Sequence, residues 1–395
     1  MVGIITLYYD SINYGGVLQA FALCKAIEKY TRNKAEQICF SMINREQSFN
    51  KNDNKKGLFA RIKKYHSILK ILLVLKNKLS FKISDIIWGE KQRDVIKIKR
   101  KNFTHFVKEI IPHSISIYDS TDIFETLNKY DAFITGSDQV WNFAWYSSVF
   151  FLDFVPSDKI KLSYAASISK DSLTENEKEI FKRSLADFKA VSVRETQAVE
   201  LIKDLSPVEP KVVLDPTLLL SREDWDKICA SRVVPCEYLF CYFLGNNMCE
   251  RKLALKFAKA KHLKIVSVPL TGRKIYSDLK FGDIIMPTAS PEEFLSLVKH
   301  ASYVFTDSFH ATVFSQIFQK QYFVFNRDKN GTMNSRIFNI TDIFNSQERF
   351  CNGKERETLK YIQTLKNIDY NKENQKFSDL KEFSINYLKE ALEQH

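Results

Sequence analysis

The chain has 395 residues, of which 45% are hydrophobic and 27% charged, with only 11 glycines and 9 prolines. These values describe a globular protein of about two domains at ~100–200 residues each, and they exclude collagen-like and Pro/Gly-rich disordered architectures. The net charge of +12 is local: residues 51–101 hold 16 Lys/Arg against 4 Asp/Glu, while the rest holds 43 of each sign, which argues against a protein that coats nucleic acid.

The first thirty residues read strand, loop, helix. Gly3–Tyr9 is apolar and β-prone, Asp10 to Gly16 is a turn cluster, and Val17–Tyr30 has helical apolar spacing. With a second strand at Ala35–Ile43, this opening is βαβ-like and predicts a parallel sheet. The basic segment then interrupts. Leu58–Phe81 carries apolar positions at helical spacing with lysines between, and a second helix is expected over Lys91–Ile110. Strands are expected at Tyr130–Thr135, Ile160–Ala166, Ala190–Val193 and Val212–Leu214, with helices at Glu175–Asp187 and from Thr196 to about Asp204. The second half repeats the scheme, with strands at Tyr238–Phe243, Lys264–Val268, Ile284–Met286, Tyr303–Thr306 and Tyr322–Phe325. Helices fall between them at Met248–Lys261, Pro291–Lys299 and Phe309–Phe318, and an amphipathic helix at about Phe377–Leu392 closes the chain. The expected organisation is an α/β protein of two Rossmann-like domains facing a cleft. Residues 1–215 form the first, with a helical basic insertion at about 51–110, residues 216–350 form the second, and 351–395 form a tail packing back on the body.

Seven scattered cysteines, odd in number and without a CxxC pair, read as free thiols in a reducing compartment. The apolar opening lacks a basic leader, and the longest apolar run, near Ile71–Leu75, is far short of the ~20 residues that span a bilayer. A cytoplasmic location is therefore expected. No His or Cys spacing suits a metal, so none is expected.

Ligands of doubly wound sheets bind at the carboxyl ends of strands, and polar clusters stand at those ends. Asn13, Gly15 and Gly16 lie between the first strand and its helix, where glycines admit a ligand and the helix N-terminus attracts an anion. The cluster lacks the GxGxxG spacing and the Walker lysine, so the dinucleotide and P-loop readings fail. Asp138 follows a strand and is a candidate general base, with Trp141 and Asn142 beside it as sugar-binding candidates. Arg194 ends a short strand; arginine grips carboxylate or phosphate with paired hydrogen bonds, although a surface Arg–Glu pair is the plain alternative. In Thr306 to Ala311, an apolar strand delivers Asp307, Ser308 and His310 to a helix start, which suits His310 to proton transfer or phosphate binding. Arg336 is a further candidate for an anion in the cleft.

Six segments together resemble the polysaccharide pyruvyltransferase family, in the family's order. They are Asn13 to Leu23, Gly136 to Asn142, Tyr164 to Ser167, Ser192 to Glu195, Leu214 to Thr217 and Thr306 to His310. The resemblance implies a fold like that of GT-B glycosyltransferases, and phosphoenolpyruvate as donor without a further cofactor. It implies a sugar or lipid-linked oligosaccharide with two nearby hydroxyls as acceptor, and a pyruvate ketal as product. On this reading His310 and Asp138 are catalytic. Arg194, Ser308, Arg336, Asn13, Gly15 and Gly16 hold the donor, and Trp141 and Asn142 the acceptor. Ser308 stands where some members carry a donor-binding arginine, which shifts weight to Arg194 and Arg336. Residues 55–101 suggest peripheral contact with anionic membrane. The alternative is a GT-B glycosyltransferase that uses a nucleotide sugar.

Overall fold

A computed structural model describes residues 1–42, 93–270, 278, 280–327, 335–351 and 355–393. The helix expected at Leu58–Phe81 lies outside them. The first half is built on β1 (Val2–Ile5), β2 (Ala35–Phe40), β3 (His113–Tyr118), β4 (Ala132–Thr135) and β5 (Ile160–Ser163), in the order β3-β2-β1-β4-β5. Here β1 pairs in parallel with both β2 and β4. Helix α1 (Tyr14–Tyr30) crosses from β1 to β2, and a helix over 93–110, α2, precedes β3. Helices α3 (Glu175–Ser184) and α4 (Thr196–Ile202), with the short strands β6 (Ser192–Val193) and β7 (Lys211–Val212), complete this half.

After the short helix α5 (Arg222–Asp226), the second half repeats the plan. Its strands are β8 (Tyr238–Tyr242), β9 (Lys264–Ser267), β10 (Ile284–Ile285), β11 (Tyr303–Thr306), β12 (Gln321–Phe325) and β13 (Phe350–Cys351), in the order β10-β9-β8-β11-β12-β13. The helices are α6 (Met248–Lys261), α7 (Pro291–Lys299), α8 (Phe309–Ile317), α9 (Ser335–Ile343) and α10 (Glu355–Thr364). In both sheets all strand pairs are parallel, and the order in which strands are added reverses between the first and fourth strands. The carboxyl ends of β1 and β4, and of β8 and β11, are therefore the natural ligand sites. Both central strands β4 and β8 are buried along their whole length, as hydrophobic runs in a sheet covered on both faces should be.

Helix α11 (Gln375–Leu392) returns to the first half. Its Tyr387 hydroxyl donates to the Ser163 carbonyl at 2.8 Å, and its Ser384 Oγ accepts from the Leu214 amide at 2.9 Å. All seven cysteines are free. Among the described residues no helix is long and apolar enough to cross a membrane.

Several boundaries differ from the sequence reading. Helix α1 starts at Tyr14 rather than Val17, because the Asn13 side chain caps it by accepting from the Gly15 amide at 3.1 Å; both glycines of the turn thus lie inside the helix. Strand β5 stops at Ser163, since Ala165 takes a left-handed backbone, φ 48°. Strand β3 was not anticipated: its Ser114 points inward while Ile115 and Ile117 point out, so its apolar pattern is inverted for an amphipathic strand.

Candidate active site

The site forms where loops from the two halves meet. Behind β1, Asn13 caps α1 and lays Gly15 against the second half. A Cβ on Gly15 would stand 2.0 Å from His310 Nδ1, so only glycine lets the imidazole lie there. Behind β11, Ser308 caps α8, its Oγ accepting from the Ala311 amide at 3.4 Å, which sets His310 in the first turn of that helix. The two clusters that the sequence placed 295 residues apart are thus in van der Waals contact.

His310 is 9% exposed, and its Nε2 carries no hydrogen bond among the described residues. That nitrogen lies 3.5 Å from Asp215 Oδ2. Asp215 is the hub of the cluster. Its Oδ2 accepts from Arg194 Nη1 at 2.9 Å, and its Oδ1 accepts from the Thr217 hydroxyl at 2.6 Å and amide at 3.1 Å. Burial alone would raise its pKa, but His310, Arg194 and Thr217 outweigh that and hold the carboxyl well below the usual carboxylate range.

Arg194 is 3% exposed and lies over the Phe309 ring, 4.7 Å from its centroid. Its Nε donates to Glu195 Oε1 at 3.1 Å, and Nη2 stands 3.6 Å from Asp138 Oδ1. Burial disfavours its charge, but the three carboxylates of Glu195, Asp215 and Asp138 more than compensate and keep it protonated. Arg194 is therefore no free fork for an anion: only Nη2 lacks a hydrogen bond among the described residues. Nor is Glu195 a surface partner, since it is 6% exposed and also accepts from Ser167 Oγ at 2.8 Å. Arg336, on α9, approaches from the second half. With the Gln139 amide oriented to satisfy its neighbours, Gln139 accepts from both terminal nitrogens of Arg336 at 2.7 and 2.8 Å. Burial and the nearby Arg194 charge lower its pKa to about 10, so it remains a cation at neutral pH. Asn339 on the same helix donates to the Arg194 carbonyl at 3.1 Å, tying α9 to the cluster.

The structure thus brings together Gly15, Asp138, Arg194, His310 and Arg336, with Asn13, Ser308 and Gly16 as the backbone frame. Asn13 and Ser308 spend their side-chain oxygens on helix caps, and a Cβ on Gly16 would stand 2.8 Å from the Leu7 carbonyl. Trp141 is a correction. It has no exposed surface; it stacks on Phe151, donates Nε1 to the Phe150 carbonyl at 3.2 Å, and meets Phe181 edge-on. It is core and cannot stack on a sugar. Asn142 caps the turn at Phe143–Trp145, accepting from the Ala144 amide at 2.9 Å.

Two features escaped the sequence reading. Asp215 stood there as a domain boundary and within one of the six family segments, with no role of its own, although the Asp-Pro-Thr order signals a capping carboxylate; its role needs the fold to bring Arg194 and His310 to it. The second is a set of buried polar groups behind β8 and β11. Asp307 accepts from the Leu244 and Gly245 amides at 2.6 and 2.7 Å, and Arg251 donates Nε to Asp278 at 2.6 Å. Glu250, 3% exposed, is pushed up to about 9 by burial and the nearby Asp307, so it is neutral at pH 7. Among the described residues no group of three His, Cys, Asp or Glu is arranged to hold a metal ion.

The fold has counterparts among known proteins. In solved structures the fold is similar to UDP-GlcNAc 2-epimerase from Methanocaldococcus jannaschii, at 11% identity over 97% of each chain and TM-score 0.51. A UDP-N-acetylglucosamine 2-epimerase from Rickettsia bellii (12% identity, 98% and 95% covered, TM-score 0.48) and a glycosyltransferase from Rickettsia africae (12%, 100% and 99%, TM-score 0.45) are also similar. At 11% identity the likeness to the first of these concerns the fold alone, a GT-B-like pair of parallel α/β units. No match is found among curated proteins. The family model for polysaccharide pyruvyl transferase matches residues 13–329, a span that runs from the capping Asn13 past His310, and the chain belongs to that family.

Proposed function

We propose that the protein transfers the pyruvyl group of phosphoenolpyruvate to two hydroxyls of a sugar, forming a pyruvate ketal and inorganic phosphate in cell-surface polysaccharide synthesis. The observation that carries this reading is the buried Arg194–Asp215–His310 array, closed across the seam by Gly15. Arg336 and the remaining Nη2 of Arg194 bind the donor's carboxylate or phosphate. His310, oriented by Asp215, gives a proton to the methylene carbon, which becomes the methyl group. The first sugar hydroxyl adds to the central carbon and passes its proton to Asp138. The second displaces phosphate, and the phosphate departs with that hydroxyl's proton. The proton held by Asp138 returns to His310 through solvent, which resets both groups; net, one hydroxyl proton ends on the methyl group and the other on phosphate, so charge and atoms balance. Arg194 and Arg336 hold the negative charge that builds on the departing phosphate. The basic stretch at 55–101 would bring the enzyme to an anionic membrane surface where a lipid-linked acceptor resides.

The test is thermal unfolding with phosphoenolpyruvate and, separately, with a panel of nucleotide sugars. At a hundred times its dissociation constant a ligand stabilises the native state by about 2.7 kcal/mol. The expected result is a shift with phosphoenolpyruvate that disappears in Arg336→Gln. A shift with a nucleotide sugar alone would replace this reading with a glycosyltransferase.

A further inference from the structure

The two arginines of the site differ in what surrounds them. Arg194 lies among three carboxylates, 2.9 Å from Asp215, 3.1 Å from Glu195 and 3.6 Å from Asp138. All four side chains are buried, so solvent and salt screen their charges little. One cation facing three anions makes a negative surface, which by itself repels a phosphate or a carboxylate. The positive charge that receives an anionic donor has to come from elsewhere, and Arg336 on α9 of the second half is placed to supply it.

The partner of Arg336 is an amide. The Gln139 side-chain oxygen, oriented to satisfy its neighbours, accepts from both terminal nitrogens of Arg336 at 2.7 and 2.8 Å and from Ser169 Oγ at 3.1 Å. Gln139 follows β4 in the first half, so this contact crosses the seam between the halves. Its backbone is fixed there, because its carbonyl accepts from the Asn142 amide at 3.1 Å and from Trp145 Nε1 at 3.0 Å. The charge that acts most strongly on Arg336 is the repelling one of Arg194, ahead of the attraction of Glu195 and Asp138. An amide oxygen orients a guanidinium and leaves its charge intact, whereas a carboxylate in the same place would orient it and cancel it. Helix α9 also has an anchor that does not involve Gln139, since Asn339 donates to the Arg194 carbonyl at 3.1 Å. Losing the Gln139 contact therefore frees the arginine side chain without releasing the helix.

We propose that Gln139 is a positioning residue: its side-chain oxygen holds Arg336 across the seam, and its neutrality leaves that guanidinium as the uncancelled cation that receives phosphoenolpyruvate. The assignment rests on the pyruvyl-transfer reading. A glutamate at this position has nearly the same size and accepts the same hydrogen bonds, but it adds a fourth carboxylate to the site.

The full-length protein is compared with Gln139→Glu, Gln139→Met, Arg336→Gln and the double variant Gln139→Glu/Arg336→Gln. Each is titrated with phosphoenolpyruvate in a calorimeter and unfolded thermally without ligand. Gln139→Glu should keep or raise the unfolding temperature, because the arginine gains a charged partner, and yet weaken phosphoenolpyruvate binding about tenfold or more. Gln139→Met removes the acceptor and adds no charge, so its loss of binding should be smaller. A merely structural role predicts the reverse order, since glutamate keeps the hydrogen bonds and methionine does not. Binding by Gln139→Glu within about twofold of the unaltered protein, or stronger than that of Gln139→Met, overturns the proposal. The pairing itself is read from the unfolding temperatures. With Arg336→Gln in the background, the same glutamate should lower the unfolding temperature, because it then meets Asp138 and Glu195 without a cation of its own; equal effects in the two backgrounds overturn the pairing. If the unaltered protein fails to bind phosphoenolpyruvate, pyruvyl transfer is the reading that falls, and the unfolding comparison still decides whether Gln139 holds Arg336.

Discussion

Gly15→Ala places one methyl group against the His310 imidazole. Its Cβ would stand 2.0 Å from His310 Nδ1 and 2.5 Å from Cε1, whereas non-bonded heavy atoms settle at about 3.5 Å, so one side must retreat by about 1.5 Å. Helix α1 is poorly placed to yield. Its neighbouring Tyr14 is pinned to the second half by a 2.6 Å hydrogen bond to the Ala289 carbonyl and by stacking on Phe294, 4.3 Å between centroids. The ring therefore moves, and its 3.5 Å approach to Asp215 is lost or altered. Overpacking costs about 1–3 kcal/mol, offset by up to ~1 kcal/mol because alanine is the better helix former, so the unfolding temperature should fall only slightly. Turnover should fall about a hundredfold, the usual consequence of a misplacement of about 1 Å in a reacting group. The assays are thermal unfolding, imidazole NMR of His310, and phosphate release from phosphoenolpyruvate with an acceptor glycan. Gly16→Ala is the control, because its Cβ meets the Leu7 carbonyl and not the histidine. Unchanged His310 resonances together with unchanged phosphate release in Gly15→Ala would refute the argument.

Further expectations follow from the buried charges. Asp215→Asn leaves Arg194 without its shortest ion pair and should destabilise the protein by about 3 kcal/mol or more in urea unfolding; wild-type stability would contradict the hub role. Because the Asp215 pKa is depressed on folding, its stabilisation is fully present above the unfolded carboxylate value near 4 and is lost as pH falls below it, a slope that Asp215→Asn should flatten. Glu250 has the opposite sign. Its folded pKa of about 9 lies above the unfolded value near 4.3, so stability should fall as pH rises between them, by up to about 1.4 kcal/mol per pH unit. Glu250→Gln should therefore stabilise the protein at pH 8 and change little at pH 4, as equilibrium unfolding at the two pH values would show. Lys99, 2% exposed against the Tyr14 ring and lowered to about 8 by burial, gains stability as pH rises from about 8 toward 10. Lys99→Met should raise stability at pH 7 by about 2 kcal/mol, with the gain shrinking near pH 10; a loss at pH 7 would mean that the cation–π contact outweighs desolvation.

Much of the fold was legible because strand runs such as Ala132–Thr135 and Tyr303–Thr306 are short, apolar and followed by turn residues, which mark a parallel sheet and its ligand-bearing ends. Strand β3 was not legible, since an outward-facing Ile115 contradicts the pattern that a sequence reader trusts. In the site, the sequence identified His310, Asp138 and Arg194 by residue type and by position after a strand. It could not tell a core tryptophan from a sugar platform at Trp141, because burial is a property of packing: the rings of Phe151 and Phe181 cover it from other parts of the chain. It could not see Asp215 as the link between Arg194 and His310, nor Gly15 as the seat of the imidazole. Local chemistry such as caps, turns and strand periodicity is written in neighbouring residues and is fixed by sequence alone. Contacts across 95 residues, as between Asp215 and His310, or 295, as between Gly15 and His310, exist only once two sheets have folded and docked, and the tertiary structure alone decides them.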